Sequence, residues 1–218
     1  MSEMVKVVVD AMGGDNAPEE PVKAAVEAVK EKENIQVILT GVQDVIEAEL
    51  RKYPDYPKDR IRVVHASQVI ETAEPPVMAI QKKKDSSIVV GLNLVKKQEA
   101  DAFVSSGSTG AVLVGGQVIV GRIKGIRRPP LAPLIPTAKG VSLLIDCGAN
   151  VDARPDHLVQ FAQMGSIYME NVVGIKKPRV AIVNNGAEEE KGNALVKATF
   201  PLLKACKDIN FIGSIEAR

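Results

Sequence analysis

Four polar segments, each placed directly after an apolar run, carry the residue types that could do chemistry in this 218-residue chain. The first is DAMGGDNAP, in which the carboxylates Asp10 and Asp15 flank the glycine pair Gly13 and Gly14. Paired glycines let a ligand approach the main chain closely, and nearby carboxylates could tune its protonation. A tight turn that caps the following helix would use the same residues, so this segment alone leaves both interpretations open.

The second segment, SSGSTGA, combines hydroxyl groups with glycines where a strand-like run gives way to a helical one. Free N–H groups at a helix start attract anions, and hydroxyls add hydrogen bonds without adding charge. The lysine of a P-loop and the dinucleotide pattern G-x-G-x-x-G are both absent from it. The segment therefore predicts either a phosphate site that selects no nucleotide or a hydroxyl-capped helix start. Its candidate anion-binding residues are Ser106, Gly107, Ser108, Thr109 and Gly110.

The third segment, DCGANVDARP, brings Asp146, Asn150 and Asp152 close together in the sequence. These side chains could form a polar cluster around a ligand. A magnesium site is conceivable because Mg²⁺ needs only one or two carboxylates plus phosphate oxygens, but no full ligand set is fixed and we predict no metal. Cys147 is interpreted as a structural thiol, since no histidine lies near it in the sequence.

The fourth segment, NNGAEEEKG, places Lys191 after three glutamates at the predicted start of a helix. The helix dipole favours acids in a first turn but opposes a lysine. Lys191 therefore predicts an anionic partner close to this end of the helix.

Short apolar runs alternate with helical patterns along the chain, which predicts an α/β fold with a mainly parallel sheet. Ligands in such folds lie at the carboxyl ends of the strands, where all four polar segments fall. Strands are predicted at residues 5–11, 35–41, 61–66, 100–106, 131–137, 141–148, 179–185 and 209–215. Helices are predicted after Pro18 and at residues 42–52, 75–84, 86–97, 109–123, 155–174 and 189–206.

Composition sets the class of protein and excludes several functions. Hydrophobic residues make up 45% and aromatic residues 3%, so the core must consist of Val, Ile, Leu and Ala. A formal net charge of +1 gives no overall field to recruit nucleic acid. Two cysteines make no disulfide framework, and we expect a cytoplasmic protein. Three basic clusters are either solvated faces or docking patches for an acidic partner: Lys82–Lys84, Arg127–Arg128, and Lys176, Lys177 and Arg179.

Together the four segments, with LVQFAQMG after the third and with RRPPLAPLIPT, resemble the successive motifs of the bacterial phosphate acyltransferase (PlsX) family of phospholipid synthesis. Each motif alone is weak, but their order extends over nearly the whole chain. The segment SIEAR departs from the family pattern at Ser214 and Ala217, and family members are longer. The resemblance implies that residues 1–218 form a single acyltransferase domain without the family's C-terminal portion.

The resemblance also implies a fold and an activity. The fold would be the three-layer α/β/α Rossmann-like arrangement of phosphotransacetylases and isocitrate/isopropylmalate dehydrogenases. The activity would be acyl transfer from acyl-[acyl-carrier protein] to inorganic phosphate, with no cofactor. A cytoplasmic homodimer that can associate peripherally with the membrane is expected. Alternatives are a phosphotransacetylase that uses acyl-CoA and a non-catalytic domain that binds phosphate or a carrier protein.

Under this hypothesis the SSGSTG loop would hold phosphate, and Lys191 would offset its charge. Amides at Gly13–Gly14 or Gly148–Ala149 could stabilise the negative charge that develops on the thioester carbonyl. The candidate catalytic residues are Asp10, Asp15, Asp146, Asn150, Asp152 and Lys191, and the sequence does not rank the carboxylates as base. The runs Val112–Val120 and Leu158–Met169 could line an acyl channel or could be ordinary core faces.

Overall fold

The computed structural model describes residues 3–216, so the end of the SIEAR segment, residues 217 and 218, lies outside the described residues. The chain divides after Arg122 into two compact units, which are described one at a time. Unit 1 precedes this boundary, and unit 2 begins at Ile123.

Unit 1 is built on a four-stranded sheet in which every neighbouring pair of strands is parallel. Its order is β3-β2-β1-β4. Val- and Ile-rich runs form these strands, as expected for strands buried on both faces. The strands are β1 (Val5–Asp10), β2 (Ile35–Gly41), β3 (Ile61–His65) and β4 (Ala102–Val104).

Helices cover both faces of this sheet, which confirms the predicted three-layer arrangement. Val37 and Leu39 of β2 pack with the buried apolar face of the first helix, whereas Ile38 between them packs with Leu94 on the opposite side. Alternate strand residues point to opposite faces, so the two clusters lie on either side of the sheet. The helices are α1 (Glu19–Glu31), α2 (Gln43–Leu50), α3 (Pro76–Lys82), α4 (Ser87–Lys96) and α5 (Thr109–Gly115).

The predicted helix over residues 109–123 ends earlier than expected. After α5 the chain continues as a π-helical turn over Gly116–Val120, and Gly121, with φ of 103°, ends it. A three-residue 3₁₀ turn over Lys58–Arg60 precedes β3.

Unit 2 contains an antiparallel pair of strands, a long helix, and a parallel pair joined by a helix. The predicted strands and helices are present, most with shorter limits. Pro133 lies outside the first strand of the hairpin, which starts one residue later. The elements are β5 (Leu134–Thr137), β6 (Gly140–Leu143), α6 (Pro155–Asn171), β7 (Arg179–Asn184), α7 (Ala194–Ala205) and β8 (Asn210–Glu216). Among residues 3–216, no helix is long and apolar enough to cross a membrane.

Candidate active site

In unit 1 the first two polar segments contact each other, because β1 and β4 are adjacent parallel strands. Ser105 Oγ donates a hydrogen bond to Asp10 Oδ2 at 2.7 Å, and the Gly107 amide donates to Ser105 Oγ at 3.0 Å. Asp10 is 1% exposed, and its other oxygen accepts from the Met12 amide at 3.1 Å. Asp10 therefore holds the SSGSTG loop, the candidate phosphate site, in place through Ser105.

The glycine pair of the first segment lies directly on the second. Ser106 Oγ donates to the Gly13 carbonyl oxygen at 3.0 Å. A Cβ atom on Gly13 would lie 2.5 Å from Asp10 Oδ2 and 2.8 Å from the Gly107 amide nitrogen. Gly14 has φ of 100°, a left-handed conformation that side chains disfavour. Only glycine at these two positions allows the loops to approach this closely.

Of the hydroxyls in the SSGSTG loop, the one on Thr109 has no intramolecular partner among the described residues. Ser105 and Ser106 donate to the neighbouring segment, and Ser108 is buried as the N-cap of α5, where it accepts from the Ala111 amide at 3.3 Å. Thr109 is exposed. The hydroxyls that precede Thr109 thus fix the shape of the loop, and Thr109 is left to meet a ligand.

Asp15 does not join this cluster. It is exposed, and no hydrogen bond or ion pair reaches its carboxylate in the part of the chain that the structure describes. Its catalytic role stays a prediction.

In unit 2, Asp146 and Asn150 hold the RRPPLAP segment against the third polar segment. Asp146 accepts from the Leu131 amide through Oδ1 and from the Asn150 amide through Oδ2, both at 2.7 Å. Asn150 Nδ2 donates to the Pro129 carbonyl oxygen at 3.1 Å. Both carboxylate oxygens of Asp146 therefore serve to position the main chain.

Asp152 pairs with Arg128, which sequence reasoning had treated only as part of a basic cluster. Arg128 Nη2 donates to Asp152 Oδ2 at 3.0 Å, and Nη1 donates to Oδ1. This two-pronged contact lowers the pKa of Asp152 below its ordinary value and raises that of Arg128. Arg127 likewise pairs with Asp156, so this cluster offers less free positive charge to an acidic partner than its sequence indicates.

The prediction that Lys191 lies in the first turn of a helix is wrong. Helix α7 begins at Ala194 and is capped by Asn193, whose side chain accepts from the Val196 amide at 2.9 Å. Lys191 precedes this cap in a turn, where Asn184 Nδ2 donates to its carbonyl oxygen at 3.2 Å. Its exposed ammonium has no ion-pair partner within residues 3–216, so it is available to an anion.

No group of three or more His, Cys, Asp or Glu side chains is placed to hold a metal ion among the described residues. The structure thus brings Asp10, Gly13 and Gly14 together with the SSGSTG loop in unit 1. In unit 2 it brings Asp146 together with Asn150, whereas Asp152 pairs with Arg128. Sequence reasoning missed the anchoring role of Ser105 and the pairing of Arg128. In the sequence, the only signal for Ser105 is its place in the motif SSGSTGA, and the only signal for Arg128 is its place in the motif RRPP.

Solved structures of low sequence identity share this fold. A phosphotransacetylase from Streptococcus pyogenes superposes with a TM-score of 0.73 at 18% identity, covering 98% of this chain and 68% of that one. The EutD phosphotransacetylase from Staphylococcus aureus gives a TM-score of 0.69 at 16% identity and covers 98% and 69%. The expected phosphotransacetylase-like fold is confirmed.

Sequence comparisons give closer relatives. Proteins named phosphate acyltransferase from Clostridium botulinum and Alkaliphilus oremlandii are 53% and 56% identical over 214 and 216 residues. Each match covers 98% of this chain, which spans 64% and 63% of the relatives' own lengths. The profile of the family described as fatty acid synthesis protein matches residues 5–218. The chain therefore belongs to this fatty acid synthesis protein family, together with the phosphate acyltransferases that it resembles.

Proposed function

We propose that the protein transfers a fatty acyl group from acyl-[acyl-carrier protein] to inorganic phosphate, giving acyl phosphate for phospholipid synthesis. Its relatives' names and the family's description support acyl transfer to phosphate. The observation that carries the proposal is the contact between two glycine-containing loops at the carboxyl ends of β1 and β4. Beside this contact, the Thr109 hydroxyl has no hydrogen-bond partner among residues 3–216.

Phosphate is the reactant that this loop suits best. The Thr109 hydroxyl and the first amides of α5 are donors without added charge, so phosphate would be held while its oxygens stay nucleophilic. That Lys191 offsets the charge of the bound dianion stays a prediction from the sequence. Positioning of this kind supplies much of the rate enhancement in reactions between two bound substrates.

The reaction balances without a covalent acyl-enzyme. A phosphate oxygen attacks the thioester carbonyl carbon, the C–S bond breaks, and the proton lost by hydrogen phosphate ends on the departing thiol. A thiol with a pKa of about 8.5 is a good leaving group, so no strong general acid is needed. The developing oxyanion needs preorganised donors, for which the amides of Gly13 and Gly14 are our candidates.

The test replaces Thr109 by valine, which keeps the side-chain shape and removes the hydroxyl. A hydrogen bond to a charged group contributes about 1.5–3 kcal/mol, so we expect the KM for phosphate to rise by about 10- to 100-fold. The assay follows thioester consumption with and without phosphate. Thr72→Val, at another exposed threonine of unit 1, is the matched control and should behave as the parent. Equal phosphate dependence in both variants would remove Thr109 from the site.

Two further arms separate the alternatives. Acyl-[acyl-carrier protein] and acyl-CoA are assayed side by side. Faster turnover of the CoA thioester would indicate that acyl-CoA is the donor and would contradict our proposal. Phosphate binding measured by calorimetry without any phosphate-dependent thioester loss would instead indicate a binding domain.

The family resemblance leads us to propose the remaining partners as well. We propose a cytoplasmic homodimer with peripheral membrane association, tested by sedimentation and vesicle flotation. The exposed residues Lys176, Lys177 and Arg179, which have no ion-pair partner among the described residues, are the proposed docking patch for the acidic carrier protein.

A further inference from the structure

Residues 68–86 of unit 1 form a closed loop, which we call the α3 loop because it carries the short helix α3. Main-chain hydrogen bonds close its base. The Gln68 amide donates to the Asp85 carbonyl oxygen at 3.0 Å, and the Ser87 amide donates to the Gln68 carbonyl oxygen at 3.2 Å. The proposed reaction uses none of its residues, although Lys82–Lys84 form one of the three basic clusters of the sequence.

The α3 loop packs against the SSGSTG loop and the residue that follows it. Pro76, at the start of α3, lies directly on Gly110, where a Cβ atom would be only 2.6 Å from Pro76 Cγ. Ile70, which precedes α3, is buried in the same apolar cluster as Ala111. Closely packed groups transmit displacement to one another, so a shift of the α3 loop must also move the chain next to Thr109.

An ion pair inside the α3 loop holds its two sides together. Lys83, which directly follows α3, donates through Nζ to the Val69 carbonyl oxygen at 2.6 Å and to Glu74 Oε1. The same Glu74 oxygen accepts from the Glu71 amide at 2.8 Å. Glu74 stands two residues before Pro76, so the pair ties the end of α3 to the segment that leads into its start.

This pair is less solvated than an ordinary surface ion pair. The side chains of Lys83 and Glu74 are 30% and 29% exposed. Those of Lys23 and Glu20, an ion pair on α1, are 44% and 58% exposed, and the atoms that pair are 3.7 Å apart. Solvated ion pairs contribute little to stability, so of these two pairs we expect only the one in the α3 loop to fix a loop in place.

Building on the proposed function, in which the SSGSTG loop binds phosphate, we propose that Glu74 and Lys83 are positioning residues of that site. Their ion pair fixes the α3 loop, and Pro76 of this loop keeps Gly110 and Thr109 where their donors would meet phosphate. Neither charged side chain has to touch phosphate. Binding groups must be held within about 0.5 Å of the productive geometry, and the residues packed behind them provide that restraint.

The experiment removes each charge of the pair in turn. Glu74→Gln and Lys83→Met keep the length of the side chain, and we expect the Kd for phosphate, measured by calorimetry, to rise by about 3- to 30-fold in each. Without phosphate, amide hydrogen exchange of residues 107–111 should become faster by about threefold or more, because the α3 loop no longer restrains them. Glu20→Gln and Lys23→Met, in the α1 pair, are the matched controls and should behave as the parent.

A double-mutant cycle with Thr109→Val separates positioning from a general loss of stability. If Glu74 acts through the SSGSTG loop, Glu74→Gln should raise the Kd for phosphate by a smaller factor when the Thr109 hydroxyl is already absent. A loss of stability alone would raise the Kd by the same factor in both backgrounds. Circular dichroism checks that all variants are folded.

Three results would overturn the proposal. The first is a parental Kd for phosphate in both Glu74→Gln and Lys83→Met; if Thr109→Val still raises the Kd, the proposed function remains supported. The second is an equal factor in both backgrounds of the cycle. The third is a parental Kd in Thr109→Val, which would refute the phosphate site of the proposed function together with its positioning residues.

Discussion

Replacement of Gly13 by alanine tests the contact between the two loops of unit 1. The added Cβ would lie 2.5 Å from Asp10 Oδ2, 2.8 Å from the Gly107 amide nitrogen and 2.9 Å from Ser105 Oγ. Atoms at these distances overlap, and one of them belongs to the backbone, which cannot rotate away. The loops must therefore separate, and the hydrogen bond from Ser105 to Asp10 must lengthen or break.

The size of the effect follows from the cost of overpacking a buried position. An extra methyl group in a tightly packed site destabilises a protein by about 1–3 kcal/mol. In a chain of this length, 1 kcal/mol corresponds to about 2–4 °C in Tm. We therefore expect the unfolding transition of Gly13→Ala to fall by about 2–12 °C, with a weaker affinity for phosphate.

Calorimetry supplies both measurements, as unfolding scans and as phosphate titrations. Gly116→Ala is the control, because a Cβ at this helical position would meet no atom within 4 Å. Removing backbone freedom from the unfolded chain there should stabilise the protein by about 0.4–1 kcal/mol. The two substitutions therefore have opposite expected signs.

A Gly13→Ala protein with the parental Tm and phosphate affinity would refute the reasoning, since the loops could not then be in contact. A lower Tm with unchanged phosphate affinity would confirm the contact between the two loops but would show that phosphate binds elsewhere.

Two further predictions concern charges. Arg128→Ala should raise the pKa of Asp152 towards the ordinary value of an aspartate, because the guanidinium that holds it down is removed. Because the pKa of Asp152 is lowered in the folded protein, the Arg128–Asp152 pair stabilises the folded state at pH values above the ordinary Asp pKa. The difference in the free energy of unfolding between the parent and the variant should therefore vanish as the pH falls through the lowered pKa. Carbon NMR follows the titration, and Asp85, whose pKa is lowered by a serine, should not move. Reversing the charges of Lys176 and Lys177 should raise the KM for acyl-[acyl-carrier protein], whereas reversing an exposed lysine on α1 should not; equal KM values would exclude this docking patch.

The strands could be predicted from the sequence because their apolar runs are bounded by clear signals. Strand β2 occupies Ile35–Gly41 as predicted, since its Val and Ile residues are followed by a glycine. The start of α7 was placed too early because the glutamates before Lys191 also suit a first turn. The residue that begins this helix is the cap Asn193, which stands directly before the apolar periodic run.

The contacts between loops could not be predicted in the same way. Ser105 and Asp10 are 95 residues apart, and they meet only because β4 lies beside β1. The order of strands in a parallel sheet depends on how the connecting helices pack, which the pattern of each segment does not specify. The pairing of Arg128 with Asp152 depends in the same way on the path of the chain between β5 and the end of β6.

The structure also separates the predicted catalytic carboxylates by what their oxygens already do. A general base needs an accessible lone pair and a pKa near the working pH. Asp146 uses both oxygens to accept main-chain hydrogen bonds, and Asp152 is held by an arginine that makes it a weaker base. Buried Asp10 accepts from a serine hydroxyl and an amide. These three carboxylates are thus better suited to positioning loops than to accepting a proton, which fits the proposed reaction, whose nucleophile, phosphate, is already an anion.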